Sequence, residues 1–444
     1  MSKVVVIGCG HVGLITAAGF AEIGHEVVGV DNDPQRLEVL RAGAPPFYEP
    51  GLSELLTRHH GGLLTFEDDP RVALQGADAA FICVNTPPRS DGRLSLAFVE
   101  QATRTVAEAA SGPIVIVEKS TVPANTARRV MDVLKEMGRY PDIEVASNPE
   151  FLREGTAVQD TLEPDRIVVG LANGGRARKV LEELYAPIVD RTGCPVIFTD
   201  LDTAEVTKHA CNSFLAMKIS YINAVAALCE RLGADVEVVA RGMGMDPRIG
   251  PQFLKAGIGY GGFCFPKDVS GFLTQARDAG VDFELLGEVR KINAGQRERL
   301  LGKVRQAVWN LEGKRVAVWG LAFKPGTDDL REAPSLEVIP AMQREGASVR
   351  AHDPAVDASA AGAFPGVEIC EDPLTAVEGA DVLVVLTDWP EFESVDLGAV
   401  RGAMRRPVIV DGRNVWPVET VADHGFTYLS FGRPDVVAGE IRRP

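Results

Sequence analysis

The chain has 444 residues, of which 45% are apolar and 24% are charged, and its formal net charge is −16. This length exceeds what one hydrophobic core usually organises, so we expect two or three domains. The acidic balance argues against nucleic acid and against anionic membrane surfaces as partners, because both attract a basic face.

Secretion, membrane insertion and metal binding are not indicated by the sequence. The apolar run that begins at Val4 is too short for a signal segment, and no run approaches the ~18 apolar residues of a membrane span. The seven cysteines are scattered without C-x-x-C spacing, and no histidines are paired with acids as metal ligands would be. We therefore expect a cytoplasmic protein without a metal cofactor.

A glycine motif near the start of the chain predicts dinucleotide binding. Residues 3–7 form an apolar strand, Gly8-Cys-Gly10-His-Val-Gly13 follows, and residues 14–22 have a helical pattern. In this order the glycines form a tight turn, and the helix N-terminus offers its amides to a pyrophosphate. A second strand, 26–30, ends at Asp31, whose carboxylate accepts ribose hydroxyls and repels a 2′-phosphate. The expected cofactor is therefore NAD rather than NADP.

Alternating strands and helices continue, with strands predicted at 79–84, 114–117 and 143–146. Thr86 and Thr121 follow the ends of the first two of these strands. Open α/β sheets bind ligands at the carboxyl edge of their parallel strands, so both threonines are candidate site residues. A turn or capping role is the alternative for each of them.

Two glutamates follow the third of these strands. Glu150 and Glu154 are four residues apart, so we expect them to share one face of a helix. Such a face is usually solvated, but its position at a strand end also makes it a candidate site.

A long helix is predicted over residues 201–232, because neither glycine nor proline occurs there and apolar residues recur at spacings of three and four. Its length suggests a span between two domains and a dimer contact. Lys208 and Asn212 lie on another face. They are either solvent-exposed or, if cysteine chemistry occurs nearby, the donors that a developing oxyanion needs.

A glycine-rich segment, Gly257-Ile-Gly-Tyr-Gly-Gly-Phe-Cys264-Phe-Pro-Lys267-Asp268, reads as a loop around a ligand. Glycine lets a backbone approach a ligand closely, and a thiol near a lysine can be held as a thiolate. The functional interpretation is a nucleophilic cysteine beside a phosphate-bearing substrate. The alternative is a flexible loop with a buried cysteine.

A second α/β domain follows another helical stretch at 283–311. Strands are predicted at 314–319, 348–351, 381–386 and 407–410, and the cations Lys324, Arg331 and Arg413 follow strand ends. We predict an α/β fold with two Rossmann-like, doubly wound domains joined by a long central helix and a helical dimerisation region. The predicted boundaries are 1–197 for the NAD-binding domain, 198–311 for the helical domain with the cysteine loop, and 312–444 for the nucleotide-sugar-binding domain.

Taken together, these motifs resemble the UDP-glucose/GDP-mannose dehydrogenase family over nearly the whole chain. The segments that carry the resemblance include Cys83-Val-Asn-Thr-Pro87, Lys119-Ser-Thr-Val-Pro123, Asn148-Pro-Glu-Phe-Leu152 and Asp411-Gly-Arg413, besides both glycine motifs. The residues around Cys264 are similar to the UDP-glucose branch. The resemblance implies oxidation of the C6 alcohol of UDP-glucose to a carboxylate with two NAD⁺.

The resemblance also implies residue roles. Cys264 would form a thiohemiacetal and then a thioester, with Lys208 and Asn212 stabilising the oxyanion. Thr121 and Glu150 would hold and deprotonate water, and Asp268 would orient groups near the sulfur. The cofactor residues would be Gly8, Gly10, Val12, Gly13, Asp31, Arg36, Thr86, Thr121, Glu154, Lys267 and Arg331. The substrate residues would be Glu150, Phe151, Leu152, Glu154, Lys208, Asn212, Arg248, Phe253, Lys255, Gly257, Gly259, Tyr260, Gly261, Phe323, Lys324 and Arg413.

Two departures and three alternatives accompany this prediction. His11 stands where an aromatic residue is common. Phe263 stands where a small residue usually precedes the cysteine, so the Phe263 ring is expected to narrow the sugar pocket.

The alternatives are oxidation of GDP-mannose or a UDP-N-acetylhexosamine, a two-electron alcohol dehydrogenase with Lys208 as base, and a non-catalytic NAD-binding scaffold. The expected partners are UDP-glucose and further copies of the chain, as a homodimer or a higher homo-oligomer.

Overall fold

A computed structural model describes residues 1–89 and 91–442 of the chain. Two compact units are present. Unit 1 comprises Met1–Cys211 and Ser270–Ala279, and unit 2 comprises Asn212–Val269 and Gly280–Pro444. Each unit is therefore built from two separate stretches of chain.

Unit 1 contains a sheet of eight strands with helices between them. Its elements, together with the two helices that continue into unit 2, are β1 (Lys3–Ile7), α1 (His11–Glu22), β2 (Glu26–Val30), α2 (Pro34–Arg41), α3 (Leu52–His59), β3 (Leu64–Glu67), α4 (Pro70–Ala73), β4 (Ala79–Ile82), α5 (Ala97–Ala109), β5 (Ile114–Glu118), α6 (Thr126–Glu136), β6 (Ile143–Ser147), α7 (Ala157–Leu162), β7 (Ile167–Leu171), α8 (Arg176–Thr192), β8 (Val196–Asp200), α9 (Leu201–Leu232) and, after α10 (Val236–Gly244) of unit 2, α11 (Cys264–Asp278).

The strand order is β3-β2-β1-β4-β5-β6-β7-β8, and all neighbours are parallel except β6 and β7. Both faces of this sheet are covered. In β1, Val4 and Val6 belong to one apolar cluster while Val5 and Ile7 belong to another. This explains why the strands are apolar at consecutive positions rather than at alternate ones.

Unit 2 repeats this architecture. After α12 (Glu284–Val308), its elements are β9 (Arg315–Trp319), α13 (Ser335–Arg344), β10 (Ser348–His352), a 3₁₀ helix (Ala358–Ala363), β11 (Val367–Ile369), α14 (Pro373–Val377), β12 (Val382–Val385), α15 (Pro390–Glu393), α16 (Leu397–Ala403), β13 (Val408–Asp411), α17 (Val418–Asp423), β14 (Thr427–Leu429), β15 (Asp435–Val437) and β16 (Glu440–Arg442). The strand order is β11-β10-β9-β12-β13-β14-β15-β16, and only the last two pairings are antiparallel.

The predicted fold class is confirmed: each unit holds a doubly wound, mainly parallel sheet, and the single helix α9 runs from one unit into the other. The bounds of α9 agree with the predicted helix at both ends. In the part of the chain that the structure describes, no helix is long and apolar enough to cross a membrane.

Two local predictions are wrong. Glu150 and Glu154 do not share a helix face, because residues 148–156 are irregular and the next helix begins at Ala157. The side chain of Glu150 accepts the amide of Leu152 at 2.6 Å, which favours a turn over a helix. The predicted cysteine loop also ends earlier than expected, because Cys264 is the first residue of α11.

Candidate active site

The turn between β1 and α1 has the shape that a bound dinucleotide requires. Gly8 has φ +93°, and a Cβ on Gly13 would lie 1.8 Å from the carbonyl oxygen of Gly8. A Cβ on Gly10 would meet nothing within 4 Å, so the backbone there faces open space. Gly10 caps α1 without a side-chain hydrogen bond, which leaves the first amides of the helix available to an anion. Val12 packs at the margin of the core beneath this turn.

Asp31 links this turn to the end of β2. Its Oδ2 accepts the amide of Cys9 at 2.7 Å and Nη1 of Arg36 at 3.0 Å, and its Oδ1 accepts the amide of Asp33 at 2.9 Å. Asp31 is buried, yet its carboxylate retains lone pairs for further donors. The glycine turn, the open helix N-terminus and this carboxylate together fit NAD.

The two strand-end threonines lie together. The hydroxyl of Thr86, beyond β4, donates to the carbonyl of Thr121, beyond β5, at 2.8 Å. The segment after β5 is also held by Glu118, whose Oε1 accepts the amide of Ser120 at 2.9 Å. Burial raises the pKa of Glu118 well above its usual value. The Ser120 hydrogen bond lowers this pKa, whereas the charge of Glu205 raises it further. The sequence therefore placed both threonines correctly at the sheet edge.

Glu150 and Lys208 form a buried ion pair in unit 1. Nζ of Lys208 lies 2.8 Å from Oε1 of Glu150, and neither side chain is more than 5% exposed. The ring centroid of Phe151 lies 5.6 Å from the same nitrogen. Leu152 and Glu154 follow in the irregular segment, with Leu152 against the core. Lys208 is thus not the solvated lysine of the alternative interpretation.

Lys119 is a buried cation that the sequence prediction did not single out. Its Nζ donates to Oδ1 of Asn148 at 3.1 Å. Burial lowers the pKa of Lys119, and the charge of Lys208 lowers it further, whereas Cys83 and Glu150 oppose this. The sequence did hold a signal for Lys119 as a site residue, because it follows a predicted strand directly, in the segment Lys119-Ser-Thr-Val-Pro123.

Glu205 and His209 were also missed. Both lie on α9 and are buried; Oε1 of Glu205 accepts the amide of Ala127 at 2.7 Å, and the His209 ring bonds the carbonyl of Val122 at 2.8 Å. The two contacts fix the segment that contains Thr121 to the helix that carries Lys208.

In unit 2, Asp268 organises the residues around Cys264. Oδ2 of Asp268 accepts Nδ2 of Asn212 at 2.6 Å, and Oδ1 lies 2.9 Å from Nζ of Lys267. All three side chains are buried, whereas Cys264 is partly exposed. Cys264 is also the first residue of α11, where the helix dipole favours negative charge on a sulfur.

The glycines before Cys264 pack against unit 2 itself. A Cβ at Gly257, Gly259 or Gly261 would lie 2.5, 2.3 and 2.3 Å from atoms of Gly412, Asn293 and Glu332, respectively. The amide of Tyr260 donates to Oδ1 of Asn293 at 2.8 Å. Close packing within the protein therefore already requires these glycines, and Asn293 is a further residue that the sequence prediction missed.

Arg413 is partly buried and connects three segments of unit 2. Its guanidinium donates to the carbonyls of Leu386, Gly259 and Phe323 at 2.8, 2.8 and 3.0 Å. Burial lowers the pKa of Arg413, while the charges of Asp388 and Asp411 oppose this. Arg413 therefore holds two segments that carry predicted substrate residues.

Lys255 pairs with Asp388 at 2.8 Å. Burial alone would raise the pKa of Asp388, but the charges of Arg413 and Lys255 lower it below the usual value. Asp388 was not predicted, and it brings Lys255 into the electrostatic environment of Arg413.

The remaining predicted residues of unit 2 are less closely connected. Nζ of Lys324 lies 5.5 Å from the ring centroid of Phe323, and the ring centroid of Phe253 lies 6.1 Å from that of Phe265. Arg331 bonds Asp329 at 2.7 Å. Arg248 stands apart: its side chain is 87% exposed and bonds Asp246 at 2.6 Å.

Three family models match consecutive parts of the chain. The NAD binding domain of the UDP-glucose/GDP-mannose dehydrogenase family matches residues 2–189, its central domain matches 202–295, and its UDP binding domain matches 317–418. The chain belongs to this family.

Relatives agree with this family membership over nearly the full length. A UDP-glucose 6-dehydrogenase from Rhizobium meliloti is 43% identical over 98% of this chain and 100% of its own. The structure of a UDP-glucose dehydrogenase from Pyrobaculum islandicum has a TM-score of 0.86 and 38% identity, covering 94% of this chain and 95% of the other. The structure of a UDP-D-ManNAc dehydrogenase from Pyrococcus horikoshii has a TM-score of 0.85 and 30% identity, covering 97% and 99%.

Family membership confirms that NAD is the cofactor and that the chain is an oxidoreductase. The chain is an NAD-dependent oxidoreductase, and the NAD binding domain of the family includes Gly8 to Gly13, Asp31 and Arg36. The UDP binding domain of the family includes Phe323, Lys324 and Arg413. In the described residues, 1–89 and 91–442, no group of histidine, cysteine, aspartate and glutamate side chains could hold a metal ion.

Proposed function

We propose that this member of the family oxidises the C6 alcohol of UDP-glucose to the carboxylate of UDP-glucuronate, in two successive two-electron steps. The observation that carries the proposal is a partly exposed Cys264 at the start of α11, with Asn212 and Lys267 fixed by the buried Asp268. A thiol is dispensable for alcohol oxidation to an aldehyde, whereas oxidation to an acid gains from a covalent thioester. The names of the relatives with 43% and 38% identity support UDP-glucose as the substrate.

NAD⁺ supplies a hydride acceptor for each oxidation, and Gly8, Gly10, Gly13, Asp31 and Arg36 would hold it. The first oxidation removes a hydride and a proton from the C6 alcohol and leaves an aldehyde. Cys264 then adds to the aldehyde carbon, which forms a C–S bond and a thiohemiacetal. Loss of the second hydride, with the hydroxyl proton, converts the thiohemiacetal into a thioester. Water finally breaks the C–S bond, which releases the carboxylate and restores the thiol.

Lys208 and Asn212 are proposed as oxyanion donors at each tetrahedral stage. They are four residues apart on α9 and therefore share one face of this helix. Each is fixed by a buried carboxylate, Glu150 for Lys208 and Asp268 for Asn212, so little reorganisation is needed when charge develops.

Glu150 and Thr121 are proposed to hold the water that hydrolyses the thioester. The carboxylate of Glu150 can accept a proton from water, and its Oε1 lies 2.8 Å from Nζ of Lys208, which holds it in place. Thr121 is supported by the hydrogen bond between its carbonyl and Thr86. Glu154 and Thr86 remain predicted cofactor residues.

The basic residues of unit 2 are proposed to bind the nucleotide. Lys255, Lys324 and the segment that includes Gly257 and Tyr260 would contact UDP, and Arg413 would shape this site because its guanidinium already binds three carbonyls. Phe151, Leu152 and Phe253 remain predicted substrate residues, as do Gly259, Gly261 and Phe323. Arg248, which is largely exposed, remains a prediction without support from neighbouring site residues.

A second candidate substrate is a UDP-N-acetylhexosamine. The TM-score of 0.85 to the UDP-D-ManNAc dehydrogenase favours it, because the fold alone does not separate the two substrates. The higher identity to UDP-glucose enzymes, 43% against 30%, favours UDP-glucose.

The chain is further proposed to form a homodimer through α9 and α10. In unit 2 these helices expose five apolar side chains, and Met245, directly after α10, adds a sixth. Each is more than half exposed, and those on the helices are Phe214, Tyr221, Leu228, Leu232 and Val238. Such a patch is typical of an interface.

The proposed domain boundaries are 1–197, 198–311 and 312–444, and they accord with the three family models. We also propose a cytoplasmic location, which accords with the seven free cysteines among the described residues.

Reaction stoichiometry tests the proposal. A limiting amount of UDP-glucose is incubated with excess NAD⁺, and the absorbance of NADH is followed to its endpoint, beside GDP-mannose and UDP-N-acetylglucosamine. Two NADH per UDP-glucose and none from the other sugars would support it. One NADH would indicate a two-electron alcohol dehydrogenase, a signal from another sugar alone would change the substrate, and NAD⁺ binding without turnover would indicate a scaffold.

A further inference from the structure

Two buried asparagines of unit 2 hold the backbone that leads to Cys264. Oδ1 of Asn223, on α9, accepts the amide of Gly257 at 2.8 Å. Oδ1 of Asn293, on α12, accepts the amide of Tyr260 at 2.8 Å, and its Nδ2 donates to the carbonyl of the same residue at 3.0 Å. Asn293 therefore binds both polar groups of one backbone residue, as a neighbouring strand would.

The contact between Asn293 and this segment leaves no room for another side chain. Gly259 has φ +91°, and a Cβ there would lie 2.3 Å from Oδ1 of Asn293. On the other side, Nη1 of Arg413 donates to the carbonyl of Gly259 at 2.8 Å. The segment is thus fixed to α12 by an amide that bonds one residue and packs tightly on the residue before it.

Tyr260 transmits this constraint to α11. It is buried, and its ring meets the ring of Phe265 edge to face, with centroids 5.7 Å apart and planes at 88°. The ring of Phe253 also packs on Phe265, at 6.1 Å between centroids. Phe265 follows Cys264 directly in the first turn of α11. These aromatic contacts therefore orient the turn that carries the thiol.

We propose that Asn293 is a positioning residue for Cys264, which it holds in place through Tyr260 and Phe265. This inference rests on the proposed function, in which the thiol is dispensable for the first oxidation and attacks the aldehyde before the second. A thiol displaced by about 1 Å would leave the first oxidation intact and slow the attack on the aldehyde.

Single-turnover kinetics separate the two oxidations. Enzyme in excess over UDP-glucose is mixed with saturating NAD⁺, and the absorbance of NADH is followed by stopped flow. Asn293→Ala removes both hydrogen bonds to Tyr260, so the first NADH should form at close to the wild-type rate and the second about 10²-fold more slowly. Phe265→Leu removes the ring contact and should slow the same phase, so the test remains decisive even if Asn293→Ala does not fold.

Gln296→Ala is the matched control. Gln296 lies one turn further along α12 and is also buried, but its side chain bonds Ile292 and Arg299 of the same helix, at 3.1 and 2.9 Å. This variant loses a buried amide while the bonds to Tyr260 remain, so both NADH should form at wild-type rates. Circular dichroism and thermal midpoints verify that all variants fold.

A delayed second NADH in Asn293→Ala and Phe265→Leu, but not in Gln296→Ala, would support the proposal. Equal slowing of both phases in Asn293→Ala, or of neither, would overturn it, and so would the same delay in Gln296→Ala.

Failure of the proposed function would be recognised separately, because the wild type itself would then form one NADH per UDP-glucose. In that case the rate at which iodoacetamide alkylates Cys264 still reports on the position of the thiol. An equal rate in the wild type and in Asn293→Ala would overturn the positioning role, and a changed rate at Cys264 with an unchanged rate at Cys211 would support it.

Discussion

The ammonium nitrogen of Lys208 lies 2.8 Å from Oε1 of Glu150, and both side chains are almost completely buried. Lys208→Met removes the cation and leaves a buried carboxylate, which we expect to lower the free energy of unfolding by about 3–5 kcal/mol. Loss of an oxyanion donor should also lower kcat by about 10²- to 10³-fold. Urea unfolding and steady-state kinetics measure the two effects.

The double variant Lys208→Met, Glu150→Gln is the matched control. It removes both buried charges, so it should recover much of the stability while remaining inactive. Recovery of turnover in the double variant would show that neither side chain takes part in the reaction.

We expect Asp31 and Arg36 to determine which dinucleotide is used. Asp31→Ser removes the carboxylate that lies 3.0 Å from the Arg36 guanidinium and leaves this cation available to a 2′-phosphate. The ratio of kcat/KM for NADP⁺ to that for NAD⁺ should rise at least about tenfold, or ~1.4 kcal/mol. Asp33→Ser is the control, because Asp33 lies 3.7 Å from Arg36 and is more exposed. An equal change in both variants would contradict a specific role for Asp31.

Alkylation should identify the nucleophile. Only Cys211 and Cys264 are partly exposed among the seven described thiols, and the other five are buried. Iodoacetamide should therefore inactivate the enzyme with modification of Cys264 in the mass spectrum, and UDP-glucose should slow this. Cys211→Ser should be inactivated at the wild-type rate. If Cys211→Ser resisted inactivation by iodoacetamide, the thiol whose alkylation stops the reaction would be Cys211 rather than Cys264.

Glu205 makes stability depend on pH. Burial raises its pKa from about 4.5 to about 8, although the Ala127 amide opposes this and Asp202 reinforces it. Between these values the folded state binds more protons than the unfolded chain, so the free energy of unfolding falls as pH rises, by up to ~1.4 kcal/mol per pH unit. Nearby Glu118 also has a raised pKa, because it is buried.

Glu205→Gln removes this titration while keeping an oxygen for the Ala127 amide. The free energy of unfolding of Glu205→Gln minus that of the wild type, from urea titrations at pH 5 to 9, should increase up to about pH 8 and then level off. A constant difference over this interval would mean that Glu205 is ionised throughout.

The apolar patch of α9 and α10 should hold the proposed dimer together. Tyr221 and Leu228 are 54% and 55% exposed, and a charge at either would be costly to bury in an interface. Tyr221→Glu with Leu228→Glu should convert the dimer into a monomer in sedimentation velocity. Val281→Glu, at an exposed apolar residue outside both helices, should sediment as the wild type. Dissociation by Val281→Glu as well would point to another interface.

Sequence patterns predicted the fold well where local chemistry decides the structure. The strand, glycine turn and helix around Gly8, followed by the acid Asp31, occur in the order that a dinucleotide-binding unit requires, and the structure has them there. The absence of glycine and proline predicted both ends of α9. The segment after Glu150 was predicted wrongly, because its carboxylate binds the amide of Leu152 instead of allowing a helix.

Buried polar partners were the part of the site that periodicity could not reveal. Lys119, Glu205 and His209 resemble surface residues in the sequence, and only the packing of distant segments makes their hydrogen bonds possible. The start of α11 at Cys264 was hidden by Pro266, which is tolerated in the first turn of a helix. The Phe263 ring likewise packs against Arg331, which lies 68 residues further along the chain and places its Cζ 4.4 Å from the ring centroid.

The two units exchange pieces of chain, since α9 begins in unit 1 and ends in unit 2, and α11 begins in unit 2 and returns to unit 1. The returned segment supplies Asp278 to Arg93 at 2.7 Å and the Phe272 ring to His209. A gene fragment that ends at residue 211 would therefore encode an incomplete unit 1. A chimaera that replaced one nucleotide-binding half with that of another enzyme would have to match both crossing helices, so the two halves are not separately interchangeable.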